Sequence, residues 1–303
     1  MKIYVVGTGG VGGYFGGMLA KAGIDVTFVA RGEHYQAIKE NGLTIDSQDG
    51  TFSIKTAKVI ETISKITNPE LILFTVKTYD TFKVARQLKT VVNKNTIIIT
   101  FQNGVNNDIE IKKEMKNAQV YPGVAYIIST RVKPGIIKQS GGKRWLIFGD
   151  RNSNKNPRLK EIEKIMLDAG IDATYSDDIT RDLWKKFMFI VAFSGMTAIC
   201  RSPIGRVLSD PLKKMLYERC AKEAIAVAKA MNVSIAKDAF ETMMKTTIES
   251  SPDSKSSLLV DIENGREIEI ETLNGTLIRF AAERKIDVPI NQMIYIVVKS
   301  TVQ

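Results

Sequence analysis

Three glycines near the start of the chain carry the clearest chemical signal in the sequence. The spacing G-x-G-x-x-G is matched by the segment Gly7-Thr8-Gly9-Gly10-Val11-Gly12. In this pattern the first glycine makes a tight turn and the second lets a pyrophosphate approach the backbone. The third lets a helix and a strand pack closely. Because the segment follows an apolar run and opens a helix-like stretch, it predicts a dinucleotide site rather than an ordinary glycine-rich turn.

The end of the second apolar run indicates which dinucleotide is bound. The run ends with Val29-Ala30-Arg31, where a carboxylate would bind the ribose 2′-hydroxyl of NAD. A guanidinium at that position suits the 2′-phosphate of NADP instead. Glu33 lies two residues further on, and its carboxylate would favour NAD instead. For the neighbouring His34, a surface position is the favoured interpretation. The sequence therefore predicts NADP(H) as the cofactor.

Two polar residues follow the next apolar runs in the same way. Lys77 comes directly after the run 71–76, and Asn103 follows the run 96–101. Ligands of open α/β sheets bind beyond the carboxyl ends of the strands, so Lys77 and Asn103 are expected to line the same nucleotide cleft as Arg31. The alternatives are a surface lysine at Lys77 and a turn residue before Gly104 at Asn103.

A dinucleotide enzyme that reduces a ketone also needs a general acid for the developing alkoxide. The single histidine is predicted at the adenosine end, which leaves a lysine, a tyrosine or a carboxylic acid. The best candidate region is 182–187, where Lys185 and Lys186 enter the most apolar helix of the chain. A lysine there could reach a cleft with its stem buried and its pKa lowered. From the pattern alone, a pair of solvated lysines flanking a core helix is the stronger interpretation.

A hydroxyl-rich segment, Ser254-Lys255-Ser256-Ser257, precedes a further predicted helix. Hydroxyl and backbone N–H groups at such a point can take a carboxylate, although an ordinary helix cap is the stronger interpretation from the residues. Glu269 follows Gly265, and only a break at that glycine would let it face the same site as Ser257.

The elements that must position these residues fall into two parts. Short apolar runs predict strands over 2–6, 25–30, 71–76, 96–101, 120–126, 135–139, 144–149 and 172–176. Predicted helices cover 14–22, 81–91 and 157–169, and the turn Asp49-Gly50 predicts a hairpin of 42–46 with 51–55. Beyond about 177 the strand pattern nearly vanishes, and helices are predicted over 187–200, 211–231, 258–264, 268–283 and 291–302.

This pattern predicts an α/β Rossmann domain with a doubly wound, mostly parallel sheet over residues 1–177. An all-α substrate and catalytic domain is predicted over 178–303. The net charge of +10 suits acidic ligands, and the sequence shows neither a recognition helix nor a basic stripe that would favour nucleic acid. One histidine and two separate cysteines, Cys200 and Cys220, predict no metal site and a reducing, cytoplasmic setting. No membrane segment is expected, and a homodimer through the helical part is an open option.

Taken together, these residues resemble the ketopantoate reductase (2-dehydropantoate 2-reductase) family over nearly the whole chain. The resemblance is carried by the glycine segment with Arg31, Thr75-Val76-Lys77 and Gln102-Asn103-Gly104, and by 184–187, Thr197-Ala198, Ser256-Ser257-Leu258, Glu269 and Asn274-Gly275. It implies NADPH-dependent reduction of 2-dehydropantoate to pantoate, a step toward pantothenate and coenzyme A. The resemblance further implies site roles: Lys186 as the general acid, Arg31 and Lys77 at the 2′-phosphate, Asn103 near the nicotinamide, Glu269 on its ribose, and Ser257 with Ser256 on the substrate carboxylate.

The chain departs from this family at three positions. Where the family commonly has substrate-binding asparagines, this sequence has Ile190, Ser194 and Ile204, of which only Ser194 can hydrogen-bond. Loss of such donors changes specificity strongly. The leading hypothesis is therefore ketopantoate reduction, and one alternative is an NADP-dependent reductase of another 2-oxo or β-hydroxy acid. A second alternative, from a different class, is a regulatory protein that binds NADPH without catalysis.

Overall fold

In the computed structural model, which describes residues 1–301, the apolar runs of the first half of the chain form one ten-stranded sheet. The strands are β1 Ile3–Val6, β2 Val26–Val29, β3 Leu43–Ser47, β4 Gly50–Ile54, β5 Lys58–Ile60, β6 Leu71–Phe74, β7 Ile97–Thr100, β8 Gln119–Lys133, β9 Ile136–Phe148 and β10 Asp172–Tyr175. The order across the sheet is β4-β3-β9-β8-β7-β6-β1-β2-β5, and β10 pairs with β9.

Six of these strands form a parallel core in the order β5-β2-β1-β6-β7-β8. This is the 3-2-1-4-5-6 arrangement of a doubly wound dinucleotide-binding sheet, whose strand order reverses beside β1. The register pairs Val6 with Val29 on one side and with Phe74 on the other, so β1, β2 and β6 end side by side. The predicted fold class is confirmed.

Both faces of the parallel core are covered, which explains why its strands lack a polar side. Ile3 and Val5 of β1 pack into one apolar cluster, while Tyr4 and Val6 pack into the cluster on the opposite face. Successive side chains of a strand point to opposite faces, so an unbroken apolar run is required when both faces are buried. The helices of this part are α1 Gly10–Lys21, α2 Gly32–Asn41, α3 Thr81–Leu88, α4 Asn107–Glu114 and α5 Pro157–Asp168, with 3₁₀ turns at Ile63–Lys65 and Thr78–Asp80.

The strands β8 and β9 form one long antiparallel hairpin, which the sequence prediction had divided. Segments 135–139 and 144–149 were expected as two strands, but β9 runs through the glycines between them. Gly142 has a φ of +81° and Arg144 a φ of +55°, and the pairing with β8 is irregular at three points. These irregularities bend the ladder without ending it, which is the usual effect of β-bulges.

Every regular element of the described residues after β10 is helical. The helices are α6 Ile179–Ile199, α7 Ile204–Leu208, α8 Pro211–Ala230, α9 Ala239–Ile248, α10 Ser257–Glu263, α11 Thr276–Glu283 and α12 Pro289–Ser300, with a π-helical turn at Glu271–Gly275. Helix α8 begins as predicted, since Asp210 caps it by accepting from Leu212 N and Lys213 N. The predicted helix 268–283 starts later, at the π-helical turn, and the last residue of the predicted helix 291–302 lies outside the described residues.

The chain divides into two compact units. One comprises residues 1–102 and 106–179, and the other comprises 103–105 and the chain from Thr180 onward. The predicted domain limits of 1–177 and 178–303 remain a proposal. Across residues 1–301, no helix combines the length and apolarity needed to cross a bilayer.

Candidate cofactor and catalytic site

The glycine segment that follows β1 has the geometry its spacing predicts. Gly7 has a φ of +102°, and a Cβ there would lie 2.5 Å from the backbone nitrogen of Val76. A Cβ on Gly12 would collide with Thr75 Oγ1 and with the carbonyl of Gly7. The first glycine therefore permits the turn, and the last permits α1 to approach the sheet.

Gly9 is different, because a Cβ there would meet nothing within 4 Å. It is the N-cap of α1, whose first-turn N–H groups have no partner within the helix. The open space in front of Gly9 thus faces the positive end of a helix dipole, the arrangement that binds a pyrophosphate. These residues fit a dinucleotide.

Three side chains hold this loop in shape. Thr75 Oγ1, at the end of β6, donates to the Gly7 carbonyl at 2.8 Å, and Thr8 Oγ1 donates to the Val29 carbonyl at 2.9 Å. His34 Nε2 lies 2.7 Å from the Thr8 carbonyl oxygen. The prediction that His34 sits at the surface is wrong: only 3% of it is exposed, because α2 begins beside the loop.

Arg31 and Lys77 follow the two strands that flank β1. Arg31 is the exposed N-cap of α2, two residues past the end of β2, and Lys77 is the half-buried N-cap of the 3₁₀ turn after β6. Because β2, β1 and β6 end in register, the two cations start from strand ends on either side of the glycine loop. This placement can neutralise a phosphate beside the loop.

Lys186 and Asn103 meet within the second unit. Lys186 Nζ donates to Asn103 Oδ1 at 2.7 Å. Lys186 is the eighth residue of α6, so the preceding turns fix its backbone while its long side chain reaches Asn103. Burial lowers the pKa of Lys186 from 10.5 to about 8, and the carboxylate of Glu269 acts in the opposite direction. A lysine with this pKa is charged at neutral pH yet gives up a proton far more readily than a solvated one.

Glu269, a half-buried residue, precedes the π-helical turn Glu271–Gly275. Gly265, with a φ of +62°, ends α10 and breaks the chain direction between the two helices. The Glu269 carboxylate lies close enough to Lys186 to favour the charged form of that lysine.

A stripe on α6 continues from Lys186 at helical spacing. Ile190 and Ser194 follow at four-residue steps, and they share a face with Lys186. Ile190 is half-buried and Ser194 is buried. Further along, Thr197 Oγ1 donates to Ser256 Oγ at 2.7 Å. This face of α6 thus carries the cation of Lys186, then the apolar Ile190, and then the buried hydroxyl group of Ser194.

The serines predicted to hold a carboxylate occupy different environments. Ser256 is the buried N-cap of α10, and its Oγ accepts from Leu259 N at 3.1 Å. Ser257, the first residue of α10, is exposed, while Ser254 is half-buried and its carbonyl accepts from Ile204 N. Ser256 therefore caps a helix, and Ser257 is the serine whose hydroxyl group faces solvent. Ile204, one of the family departures, is 1% exposed and part of the core.

Both cysteines of the described residues are free thiols, with Cys220 buried and Cys200 half-buried. Within residues 1–301 there is no group of three or more His, Cys, Asp or Glu side chains that could hold a metal ion.

Comparison with known protein families decides the relationship. The model of the ketopantoate reductase PanE/ApbA family matches residues 3–153, and the model of its C-terminal part matches residues 178–302. The chain belongs to the ketopantoate reductase family. As a member it is an NADP-dependent oxidoreductase, in agreement with the cofactor predicted from Arg31.

Relatives of this ketopantoate reductase family member extend over its whole length. An uncharacterized oxidoreductase YkpB of Bacillus subtilis is 28% identical and covers 97% of each chain. A 2-dehydropantoate 2-reductase of Nostoc sp. is 25% identical over 95% of this chain and 91% of that protein. Among solved structures, a PanE/ApbA family ketopantoate reductase from Ralstonia eutropha has a TM-score of 0.92 at 28% identity, covering 100% of this chain and 98% of the other.

Sequence reasoning missed two residues that shape the site of this reductase. Thr75 was quoted only as part of a motif, although a hydroxyl group at the end of a buried strand beside the glycine loop was a usable signal. His34 was misplaced because no local pattern marks a histidine buried by tertiary packing. Both act on the backbone of the loop.

Proposed function

We propose that this chain reduces 2-dehydropantoate to pantoate with NADPH, and that Lys186 supplies the proton. The observation that carries the proposal is the Lys186 ammonium group, held 2.7 Å from Asn103 Oδ1 with a pKa lowered to about 8. Bound NADPH would supply a hydride to the keto carbon. As the carbonyl electron pair moves to oxygen, Lys186 Nζ–H donates its proton there and is left neutral, to be reprotonated from water.

The other proposed site residues divide between cofactor and substrate. The loop 7–12 would hold the pyrophosphate, Arg31 and Lys77 the 2′-phosphate, and Asn103 would lie by the nicotinamide. Glu269 would accept from hydroxyl groups of the nicotinamide ribose, as half-buried carboxylates do readily. Ser257, with Ser256 and Ser254 beside it and Ser194 on α6, would take the substrate carboxylate. The free cysteines fit a reducing compartment, and the cytoplasm is the location we propose.

A second candidate is the reduction of another 2-oxo acid, and one observation favours it. Ile190 lies one helical turn from Lys186 on the same face of α6, so an apolar side chain borders the proton donor. An oxo acid with an apolar chain would need no hydrogen bond from Ile190. The hydroxyl group of a hydroxylated chain would have no hydrogen-bond partner at that side chain. Membership in a reductase family favours either enzyme over a binder without catalysis.

The test is NADPH oxidation by purified protein with 2-dehydropantoate and with unhydroxylated branched 2-oxo acids at matched concentrations. The proposal expects the highest kcat/KM with 2-dehydropantoate. A higher value for an unhydroxylated acid, together with a gain for 2-dehydropantoate in Ile190→Asn, would establish the second candidate. No oxidation with any oxo acid, in a protein that binds NADPH, would overturn both.

A further inference from the structure

We propose that His34, the only histidine of the chain, is a positioning residue for the dinucleotide loop. Its buried ring ties the carbonyl of Thr8 to the turn of the β8–β9 hairpin and so keeps the loop in the shape that receives NADPH. The proposal concerns the cofactor half of the site. It does not depend on which oxo acid is reduced.

The two ring nitrogens of His34 have fixed and opposite roles. The backbone N–H of Gly135 donates to Nδ1 at 2.9 Å, so Nδ1 must carry a lone pair. The Thr8 carbonyl, 2.7 Å from Nε2, can only accept, so Nε2 must carry the hydrogen. The contacts therefore require the neutral Nε2–H tautomer. A second proton would place an Nδ1–H against the N–H of Gly135.

The bond to Thr8 controls a carbonyl at the centre of the loop. Thr8 lies between the turn glycine Gly7 and the open position Gly9. While His34 holds the Thr8 carbonyl, the negative end of that peptide is turned toward the ring. A carbonyl released to face the pyrophosphate would repel it, whereas the nearby N–H groups of α1 attract it.

The other end of the bridge is itself anchored. Gly135 forms the hairpin turn with a φ of +75°, and its carbonyl accepts from Thr44 N of β3 at 2.9 Å. The same hairpin presses against α1, since a Cβ on Gly10 would collide with the carbonyl of Ser129. The ring of His34 thus connects the Thr8 carbonyl of the loop to a hairpin turn that is itself hydrogen-bonded to β3.

The surroundings keep this ring neutral. Burial lowers the pKa of His34 below its ordinary value of 6.5, the Thr8 bond opposes that effect, and Arg131 on β8 lowers the pKa further. The other charged residues close in the chain to its contacts are Lys133 before Gly135, and Arg31 and Glu33 beside His34; residues 7–13 of the loop carry no charge. A depressed histidine pKa means that the bridge is intact at pH 7, and that its Gly135 half is lost as the pH falls through the folded-state pKa, because the added Nδ1–H meets the N–H of Gly135.

The tautomer can be read directly, because a tag-free protein gives signals from one histidine alone. In ¹⁵N-histidine-labelled protein without ligand at pH 7, we expect a protonated Nε2 and an unprotonated Nδ1. The reverse tautomer, or fast averaging between the two nitrogens as in a solvated ring, would overturn the proposal.

Three variants separate the two halves of the bridge. His34→Gln keeps a donor near the Nε2 position, His34→Asn keeps an acceptor near the Nδ1 position, and His34→Ala removes both. We expect the NADPH dissociation constant, measured by direct titration, to rise about tenfold in His34→Ala and His34→Asn, and to stay within about threefold of the parent in His34→Gln. The kcat at saturating NADPH should change little in all three.

Ile38→Val is the matched control, since Ile38 is a buried core residue one turn along the same helix. It should lower the melting temperature without changing NADPH binding. As the pH falls through the folded-state pKa of His34, repulsion between Nδ1–H and the N–H of Gly135 should displace the ring and weaken its bond to Thr8. The parent should then lose NADPH affinity relative to His34→Gln, which shares every ligand titration but lacks the ring. Equal NADPH affinity in the parent and His34→Asn, or a parent that binds NADPH more tightly than His34→Gln in acid, would contradict the proposal.

Discussion

Burial of Lys186 disfavours its positive charge, and two neighbouring side chains stabilise that charge. Asn103 accepts one of its hydrogens, and the Glu269 carboxylate stabilises its positive form against the cost of burial. With a pKa of about 8, the side chain is protonated at pH 7. In the proposed role it would take a new proton from water after each turnover. The sequence pattern offered a lysine with a lowered pKa as one interpretation, and the resemblance favoured Lys186. Its contacts with Asn103 and Glu269 became visible only in the folded chain.

A pH profile tests this balance at the scale of the residue. Since the lysine must be protonated to act, kcat/KM for the oxo acid at saturating NADPH should fall as the pH rises through about 8. In Glu269→Gln the carboxylate that favours the charged form is gone, so the falling limb should move to lower pH. An alkaline limb that stays in place, or moves upward, would show that Glu269 does not act on Lys186. The KM for NADPH is measured alongside, because Glu269 is also a proposed ribose ligand.

Helix α1 is the element that joins the cofactor loop to the sheet. Its glycines let the helix lie against the β8–β9 hairpin: a Cβ on Gly13 would come within 2.6 Å of Ile137, and a Cβ on Gly10 would strike Ser129. The glycines in and after this segment thus have two roles: they form the phosphate loop, and they let α1 pack closely against the sheet and the hairpin. The phosphate loop and the close approach at Gly12 were predicted from the sequence, whereas the packing of Gly10 and Gly13 against the hairpin was not.

A pair of substitutions in this element separates binding from packing. Gly9→Ala adds a methyl group to open space, so the fold should keep its melting temperature while the NADPH dissociation constant rises at least about tenfold. Gly12→Ala pushes a methyl group into Thr75 and the Gly7 carbonyl, which should destabilise the fold by about 3 kcal/mol. Thermal melts and NADPH titrations on both proteins measure this, and unchanged NADPH binding in Gly9→Ala would refute the assignment of the loop.

How much was predictable differed between elements for physical reasons. Buried parallel strands such as β6 and β7 were predictable because their sequences are continuous apolar runs. The start of α8 was predictable because Asp210 can cap a helix and Pro211 suits its first turn. The hairpin strand β9 was divided because glycines within a strand look like a turn until the partner strand is known. The burial of His34 and the Thr197–Ser256 bond depend on contacts between distant segments, which no local pattern encodes.

At the scale of the whole molecule, the positive net charge of the chain favours the binding of a negatively charged cofactor. The net charge is +10, and Arg31 and Lys77 start beside the loop where the adenosine phosphates are expected. A homodimer stays an open option and the absence of nucleic-acid partners stays a prediction. Sedimentation and nucleic-acid binding measurements can decide them.

Cofactor preference should be visible in the stability of the entire chain. A ligand that binds only the folded state at a hundredfold excess over its dissociation constant raises the free energy of unfolding by about 2.7 kcal/mol. At such a concentration, NADPH should raise the melting temperature by several degrees, and the same concentration of NADH clearly less. Equal shifts with the two cofactors would mean that Arg31 and Lys77 do not contact the 2′-phosphate.

We propose that Lys186 donates the proton in the reduction of an oxo acid, and substitution of two neighbouring lysines tests this role. Lys186→Ala and Lys185→Ala remove adjacent side chains, one bound to Asn103 and one exposed at the surface of α6. The measurement is kcat with 2-dehydropantoate at saturating NADPH, together with the NADPH dissociation constant. We predict that Lys186→Ala lowers kcat by about 10²–10⁴ while still binding NADPH, and that Lys185→Ala changes neither value. A Lys186→Ala protein that keeps full turnover would show that Lys186 is not the proton donor.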